Sequence, residues 1–222
     1  FLLRALDDPH PVECGICQNC TAEAFDLSLD NAEIERAQRF LRDDYGIVQP
    51  RKRDVPPELR SDEGRFLSRW GVGVGSTVRS DRDAGFYSDE LLDFSERLIR
   101  EFWTPDPFPI WVTVVPSNRY PGVMENFASR LAERFEINFA TAITKVEERP
   151  PQRNMHNPVQ QRRNVQGCFE IEQCETGPVL LLDDIVDSRW TFTQIGIQLR
   201  EAGVEKVYPF ALADTSGSSV RD

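Results

Sequence analysis

Residues 179–191 read VLLLDDIVDSRWT. Val179 to Leu182 are aliphatic, Asp183 and Asp184 are adjacent carboxylates, and the polar turn Asp187-Ser188-Arg189 runs into an amphipathic segment. The apolar run predicts a buried strand with the two acids at its end. Phe192, Ile195, Leu199 and Ala202 then share one face of a helix, which Gly203 ends. Like charges this close raise each other's cost of ionisation, so the pair calls for a cation, a sugar diol or good solvation beside it.

The alternation of strand and helix extends on both sides. IWVTVV (110–115) reads as a buried strand; Val123, Phe127, Leu131 and Phe135 mark a helix; INFATAI (137–143) and VYPFAL (207–212) read as further strands. Strands bounded by helices in this order predict a mostly parallel, open α/β sheet of Rossmann-like type. Ligands of such sheets bind beyond the carboxyl ends of the strands, where Asp183 and Asp184 emerge. The helix after the turn offers unpaired first-turn amides and the positive end of its dipole, which suits a phosphate. A carboxylate pair beside a phosphate cradle points to a ligand with a sugar diol at one end and a phosphate at the other.

These residues resemble the 5-phosphoribosyl-diphosphate motif of the type I phosphoribosyltransferase family: an aliphatic run, two acids, two aliphatics and a Thr-Thr-Gly-x-Thr-like turn. The resemblance implies that Asp183 and Asp184 hold ribose hydroxyls. It also implies that Asp187, Ser188, Arg189, Trp190 and Thr191 form the 5'-phosphate turn, with hydroxyls from Ser188 and Thr191. RPPQRNMHNPVQQRRNVQGCF (149–169) is similar to the Gln, Arg-x-x-Asn-Val and Phe pattern of the ComF-like branch. VTVVPSNRYPG (112–122) is similar to the first strand and diphosphate-side loop, which implies anion contacts from Ser117, Asn118 and Arg119. The implied chemistry is displacement of diphosphate from C1 of the ribose, with Mg²⁺ bridging leaving-group oxygens. One position departs from the motif, since Arg189 stands at its glycine with bulky Trp190 beside it. Arginine there either closes the cradle, through loss of glycine's backbone freedom, or adds a cation to the phosphate site.

Upstream, SDELLDFSERLIREFW (88–103) predicts a helix with Leu91, Phe94, Leu98 and Phe102 on one stripe. GRFLSRWGVGVGSTV (64–78) lacks the Lys-Ser or Lys-Thr of a phosphate loop and reads as a glycine-rich hairpin or close-packed extended segment. Asp30-Asn31-Ala32-Glu33 opens a helix with a capping box; Ile34, Ala37 and Leu41 share its face, and Gly46 sits where it should stop.

In CGICQNC, Cys14, Cys17 and Cys20 supply three thiolates at zinc-site spacing, and a structural site wants four ligands. His10 is the neighbouring candidate for the fourth, while Cys168 and Cys174 read as buried small hydrophobes. LLRALDDPHPVECGICQNC (2–20) resembles the end of the zinc-binding subdomain of RecQ-family DNA helicases, which implies a fourth cysteine upstream of Phe1. The chain is therefore expected to be the C-terminal region of a bacterial RecQ-like 3'-5' ATP-dependent DNA helicase of repair and recombination. The expected organisation is a zinc stub (1–21), a helical connector with an irregular or hairpin subdomain (22–104) and a phosphoribosyltransferase-like domain (105–222). A net charge of −11 over 222 residues argues against a general polyanion-binding surface, so DNA would be met through the parent helicase. No signal or transmembrane run is present, and a cytoplasmic protein is expected. Three functions remain: an accessory module that binds a phosphoribosyl or nucleotide ligand, a working phosphoribosyltransferase, and an interaction module with a vestigial site.

Overall fold

Strands of the larger of two units, numbered in chain order, are β1 (Gly46–Val48), β2 (Gly64–Arg69), β3 (Trp111–Val114), β4 (Asn138–Phe139), β5 (Ile143–Lys145), β6 (Phe169–Ile171), β7 (Val179–Val186) and β8 (Val207–Asp214). The computed structural model describes residues 7, 12, 15–16, 18–21, 30–33, 45–147, 167–172 and 174–216. The two units are Phe1–Ala37 and Gln38–Asp222. Six of the strands make one sheet in the order β1-β2-β8-β7-β3-β4. β2, β8, β7, β3 and β4 are parallel, and β1 closes one edge antiparallel to β2. This is the mostly parallel open α/β sheet that the alternating pattern predicts.

Helices α1 (Val74–Ala84), α2 (Asp89–Arg97, running on as a π-helical turn over Leu98–Trp103) and α3 (Val123–Phe135) pack on one face. α4 (Trp190–Glu201) and the antiparallel β5–β6 hairpin pack on the other. Successive strand side chains point to opposite faces, so Leu180 and Leu182 join the α1–α3 core while Val179 and Leu181 join the α4 core. Both apolar layers need aliphatic side chains from β7 and β8, which is why these strands read as continuous apolar runs. All positions of β8 are buried.

Several expectations need correction. Residues 64–78 form strand, turn and helix rather than a hairpin. The physical reason is close approach: a Cβ on Gly75 would lie 1.9 Å from the Arg69 carbonyl oxygen, so glycine lets the start of α1 press against the end of β2. Gly46 opens β1 opposite Phe66, whose ring would be 2.1 Å from an added Cβ, and the helix expected before it lies at 34–44, outside the described residues. The wider π-turn rotates the end of the α2 segment, so Leu98 and Ile99 are buried while Phe102 is 45% exposed. INFATAI divides between β4 and β5, which belong to different sheets. Ala202 lies exposed beyond the buried Phe192, Ile195 and Leu199 stripe of α4. The stretch expected to be a connector contributes β1, β2, α1 and α2 to the unit that holds β3 to β8.

In the smaller unit the capping box forms reciprocally: the Asp30 amide donates to Glu33 Oε2 at 3.1 Å, and the Glu33 amide donates to Asp30 Oδ1 at 2.6 Å. Cys20 lies on a short helical turn, Gln18–Thr21. His10, Cys14, Cys17, Ile34, Ala37 and Leu41 fall outside the described residues, as do residues 148–166. No helix among the described residues is long and apolar enough to cross a membrane.

Candidate functional site

β7 does not end at the acids. Its pairing with β8 continues through Asp183↔Ala211, Ile185↔Ala213 and Val186↔Asp214. Asp183 and Asp184 are therefore strand residues, both partly buried, whose Cα–Cβ bonds alternate between faces. By that parity Asp184 lies on the α1–α3 side with Leu182, and its neighbours come from there. Arg82 of α1 places Nη1 3.7 Å from Asp184 Oδ2. Its guanidinium lies over the Trp70 ring at 4.6 Å and the Tyr120 ring at 5.2 Å, and its buried Nε has no hydrogen-bond partner. Tyr87, 1% exposed, sits beside the same carboxylates with its hydroxyl buried and in hydrogen-bond reach of Asp184. Burial first, and then the Asp184 charge, push the Tyr87 phenol up, so it stays a neutral donor.

Asp183 accepts the Asp184 amide at 2.9 Å. Its carboxyl is nevertheless held well above the usual carboxylate range, by burial first and then by the Asp184 charge and a hydrogen bond between the two carboxyl groups. Arg82 stands against the pair as its counter-charge, 3.7 Å from Asp184 Oδ2. Of the cation, sugar diol or solvation expected beside the pair, the structure has a cation there, the Arg82 side chain.

The turn from β7 to α4 keeps the backbone that a glycine would supply. Arg189 has φ 65° and ψ 3°, in the left-handed region, and as N-cap of α4 it gives the first-turn amides no side-chain hydrogen bond. Arg51 reaches the turn from the segment after β1: its Nη1 donates to the Ser188 carbonyl at 3.0 Å and its guanidinium lies 3.9 Å over the Trp190 ring. Arg189 Nη1 donates to the Gln49 carbonyl at 3.3 Å. Burial first, and then the Arg189 charge, disfavour the charged form of Arg51. An anion at the turn would relieve both effects. A cleft next to the turn, lined by Arg51, Arg60, Arg189 and Thr193 among others, is rich in cations. Asp187, Ser188 and Thr191 are partly buried and Trp190 is buried, so the turn Asp187–Thr191 stays together as expected.

The loop after β3 lies at the same carboxyl edge, because the Val115 amide donates to the Leu182 carbonyl at 2.8 Å. Ser117 Oγ accepts the Tyr120 amide at 3.2 Å and so shapes the loop. Asn118 and Arg119 are exposed, with Arg119 5.3 Å over the Tyr120 ring. The loop reaches Asp184 through Tyr120 and Arg82. Sequence reasoning missed Trp70, Arg82, Tyr87 and Tyr120, and read Arg51 only as part of the local basic stretch Arg51-Lys52-Arg53; the glycine run before α1 was the one signal that a helix start is held close to this edge.

Among the described residues no group of three His, Cys, Asp or Glu side chains could hold a metal ion. Of the expected zinc ligands only Cys20 lies among those residues, while Cys14, Cys17 and the candidate His10 lie outside them; Cys168 is buried as expected, whereas Cys174 is only partly buried because it sits just past the end of β6. A divalent cation does not fit at Asp183 and Asp184, since Arg82 already stands against Asp184 and would repel it.

No family model matches the sequence, and no curated protein matches it. Solved structures with similar folds are adenine phosphoribosyltransferases. The Leishmania tarentolae protein is 17% identical with a TM-score of 0.37, over 79% of this chain and 86% of that one. The Leishmania donovani protein is 17% identical with a TM-score of 0.39, over 89% and 92%. The Saccharomyces cerevisiae protein, complexed with an imino-altritol bisphosphate and adenine, is 11% identical with a TM-score of 0.39, over 81% and 89%. Likeness at this level leaves function to the chain's own side chains.

Proposed function

We propose that the larger unit is a phosphoribosyltransferase-like domain that binds a phosphorylated ribose compound at the carboxyl edge of β7. The 5'-phosphate lies at the Asp187–Thr191 turn, between Arg51 and Arg189 and against the start of α4, and the ribose hydroxyls lie at Asp183 and Asp184. The observation that carries this reading is the left-handed backbone at Arg189, at the position where the motif has glycine. The turn keeps the path that a phosphate needs while its side chain adds positive charge, which favours the cation reading of Arg189 over the closed cradle.

Binding without turnover is the preferred activity, because Arg82 pairs with the acid that a transferase would devote to its substrate. As an accessory module, the domain reports a phosphoribosyl or nucleotide ligand to a RecQ-like DNA helicase that meets DNA elsewhere. That parentage rests on the resemblance of LLRALDDPHPVECGICQNC (2–20), upstream of the phosphoribosyltransferase-like stretch, to the end of a RecQ zinc-binding subdomain.

Calorimetric titration of ribose 5-phosphate and of ribose tests the site. The phosphorylated sugar is expected to bind and ribose to give no measurable heat. Arg51→Ala is expected to weaken binding by the loss of a charged contact, on the order of 1.5–3 kcal/mol. Equal binding of both sugars, or no binding of either, refutes the proposal.

A further inference from the structure

We propose that Arg82 takes the place of a divalent cation at the carboxylate pair, and that with Tyr87 it completes a metal-independent seat for a vicinal diol. The inference rests on the ribose-phosphate reading above and deepens it, for neither residue belongs to the motif that led there.

Arg82 faces the carboxylate pair as a counter-charge without a hydrogen bond to it. Arg82 is held between Trp70 and Tyr120, at 4.6 and 5.2 Å, so its position is set by aromatic packing and not by the acid alone. Its Nη1 stands 3.7 Å from Asp184 Oδ2, beyond hydrogen-bond length, while its Nε is buried without a partner. Tyr87, 1% exposed, stands beside the same carboxylates with its buried hydroxyl in hydrogen-bond reach of Asp184. A buried donor without a partner, such as Arg82 Nε, is rare and calls for an explanation.

The donor set selects the ligand class. Carboxylates accept hydrogen bonds only, the guanidinium donates only, and the phenol does either. A sugar hydroxyl also does both, so a vicinal diol can donate to Asp184 and to the Tyr87 oxygen and accept from Arg82 Nε. A phosphate could satisfy Arg82 but would meet two carboxyl groups, and Mg²⁺ could satisfy the acids but would meet a guanidinium. The close approach at Gly75 that seats α1 against β2 also carries Arg82 to this edge.

Ribose 5-phosphate is titrated into the full chain in EDTA and again in millimolar Mg²⁺. The expected result is equal dissociation constants, within twofold. Deoxyribose 5-phosphate, which lacks the 2-hydroxyl, is expected to bind at least tenfold more weakly in both buffers. Arg82→Met is expected to lose tenfold or more in EDTA and to regain affinity with Mg²⁺, whereas Arg82→Lys keeps binding insensitive to the metal. Mn²⁺ relaxation enhancement gives a readout without the sugar: weak for the native chain and strong for Arg82→Met. Should Arg82→Met fail to fold, Arg82→Lys and the native chain decide the matter. Native binding that needs Mg²⁺, or equal affinity for the deoxy sugar, overturns the metal-independent diol seat while leaving the phosphate site standing. Absence of any ribose 5-phosphate binding overturns both.

Discussion

Arg189 carries the main conflict between local backbone preference and side-chain identity, and two substitutions separate its contributions. In the left-handed region an L-residue with a Cβ is disfavoured by roughly 1–2 kcal/mol, and Arg189 sits there at φ 65°. Arg189→Gly removes that strain but raises the entropy of the unfolded chain, offsetting about 0.4–1 kcal/mol. It also loses the 3.3 Å contact to the Gln49 carbonyl, an exposed bond at the weak end of the range of about 0.5–1.5 kcal/mol. The net change for glycine is therefore close to zero. Arg189→Ala loses the same contact and keeps the strained φ. Subtracting one variant from the other removes the arginine's own interactions, and leaves glycine more stable than alanine by about 0.5–1 kcal/mol. For a chain of this size that difference is about 1–4 °C in Tm, within reach of calorimetric melts at neutral pH. An alanine variant as stable as the glycine variant would refute the left-handed assignment, and with it the argument that the turn keeps a phosphate-binding path.

The two acids are expected to respond in opposite ways. Asp183 is held above its unfolded pKa of about 3.9, so the stability it contributes is present at low pH and lost as pH rises through the raised value. Asp183→Asn should therefore stabilise the fold at neutral and alkaline pH with no gain near pH 3, as melts across that range would report. Asp184→Asn should destabilise by about 1–3 kcal/mol, because Arg82 is left largely buried without its counter-charge; a neutral or stabilising effect would count against that pair. Gly75→Ala should cost about 1–3 kcal/mol or more, since the new Cβ meets backbone at 1.9 Å and a carbonyl cannot rotate away as a side-chain tip could. In the smaller unit, Cys14, Cys17 and Cys20 without a fourth thiolate should bind zinc weakly, and stoichiometric, chelator-resistant metal would point to His10 or another ligand.

The sequence alone determined whatever depends on period and on near neighbours. The largely apolar runs at 111–114, 179–182 and 207–212 became β3, β7 and β8 because strands buried on both faces need apolar side chains at nearly every position. The Val123, Phe127, Leu131 and Phe135 stripe became α3, and Asp30 with Glu33 closed the capping box, because helical spacing is a local property. The acids and the turn from Asp187 to Thr191 were legible for the same reason, as one contiguous strand–turn–helix. Tertiary structure alone decided what stands opposite them. Trp70, Arg82 and Tyr120 converge on Asp184, and Arg51 reaches Ser188, from elements set beside β7 by sheet order and by the depth to which Gly75 lets α1 sink. Charge balance is non-local, since a carboxylate pair can be answered by a metal, a ligand or an arginine from anywhere in the chain. No spacing in the sequence distinguishes these; the packing of α1 against the sheet does.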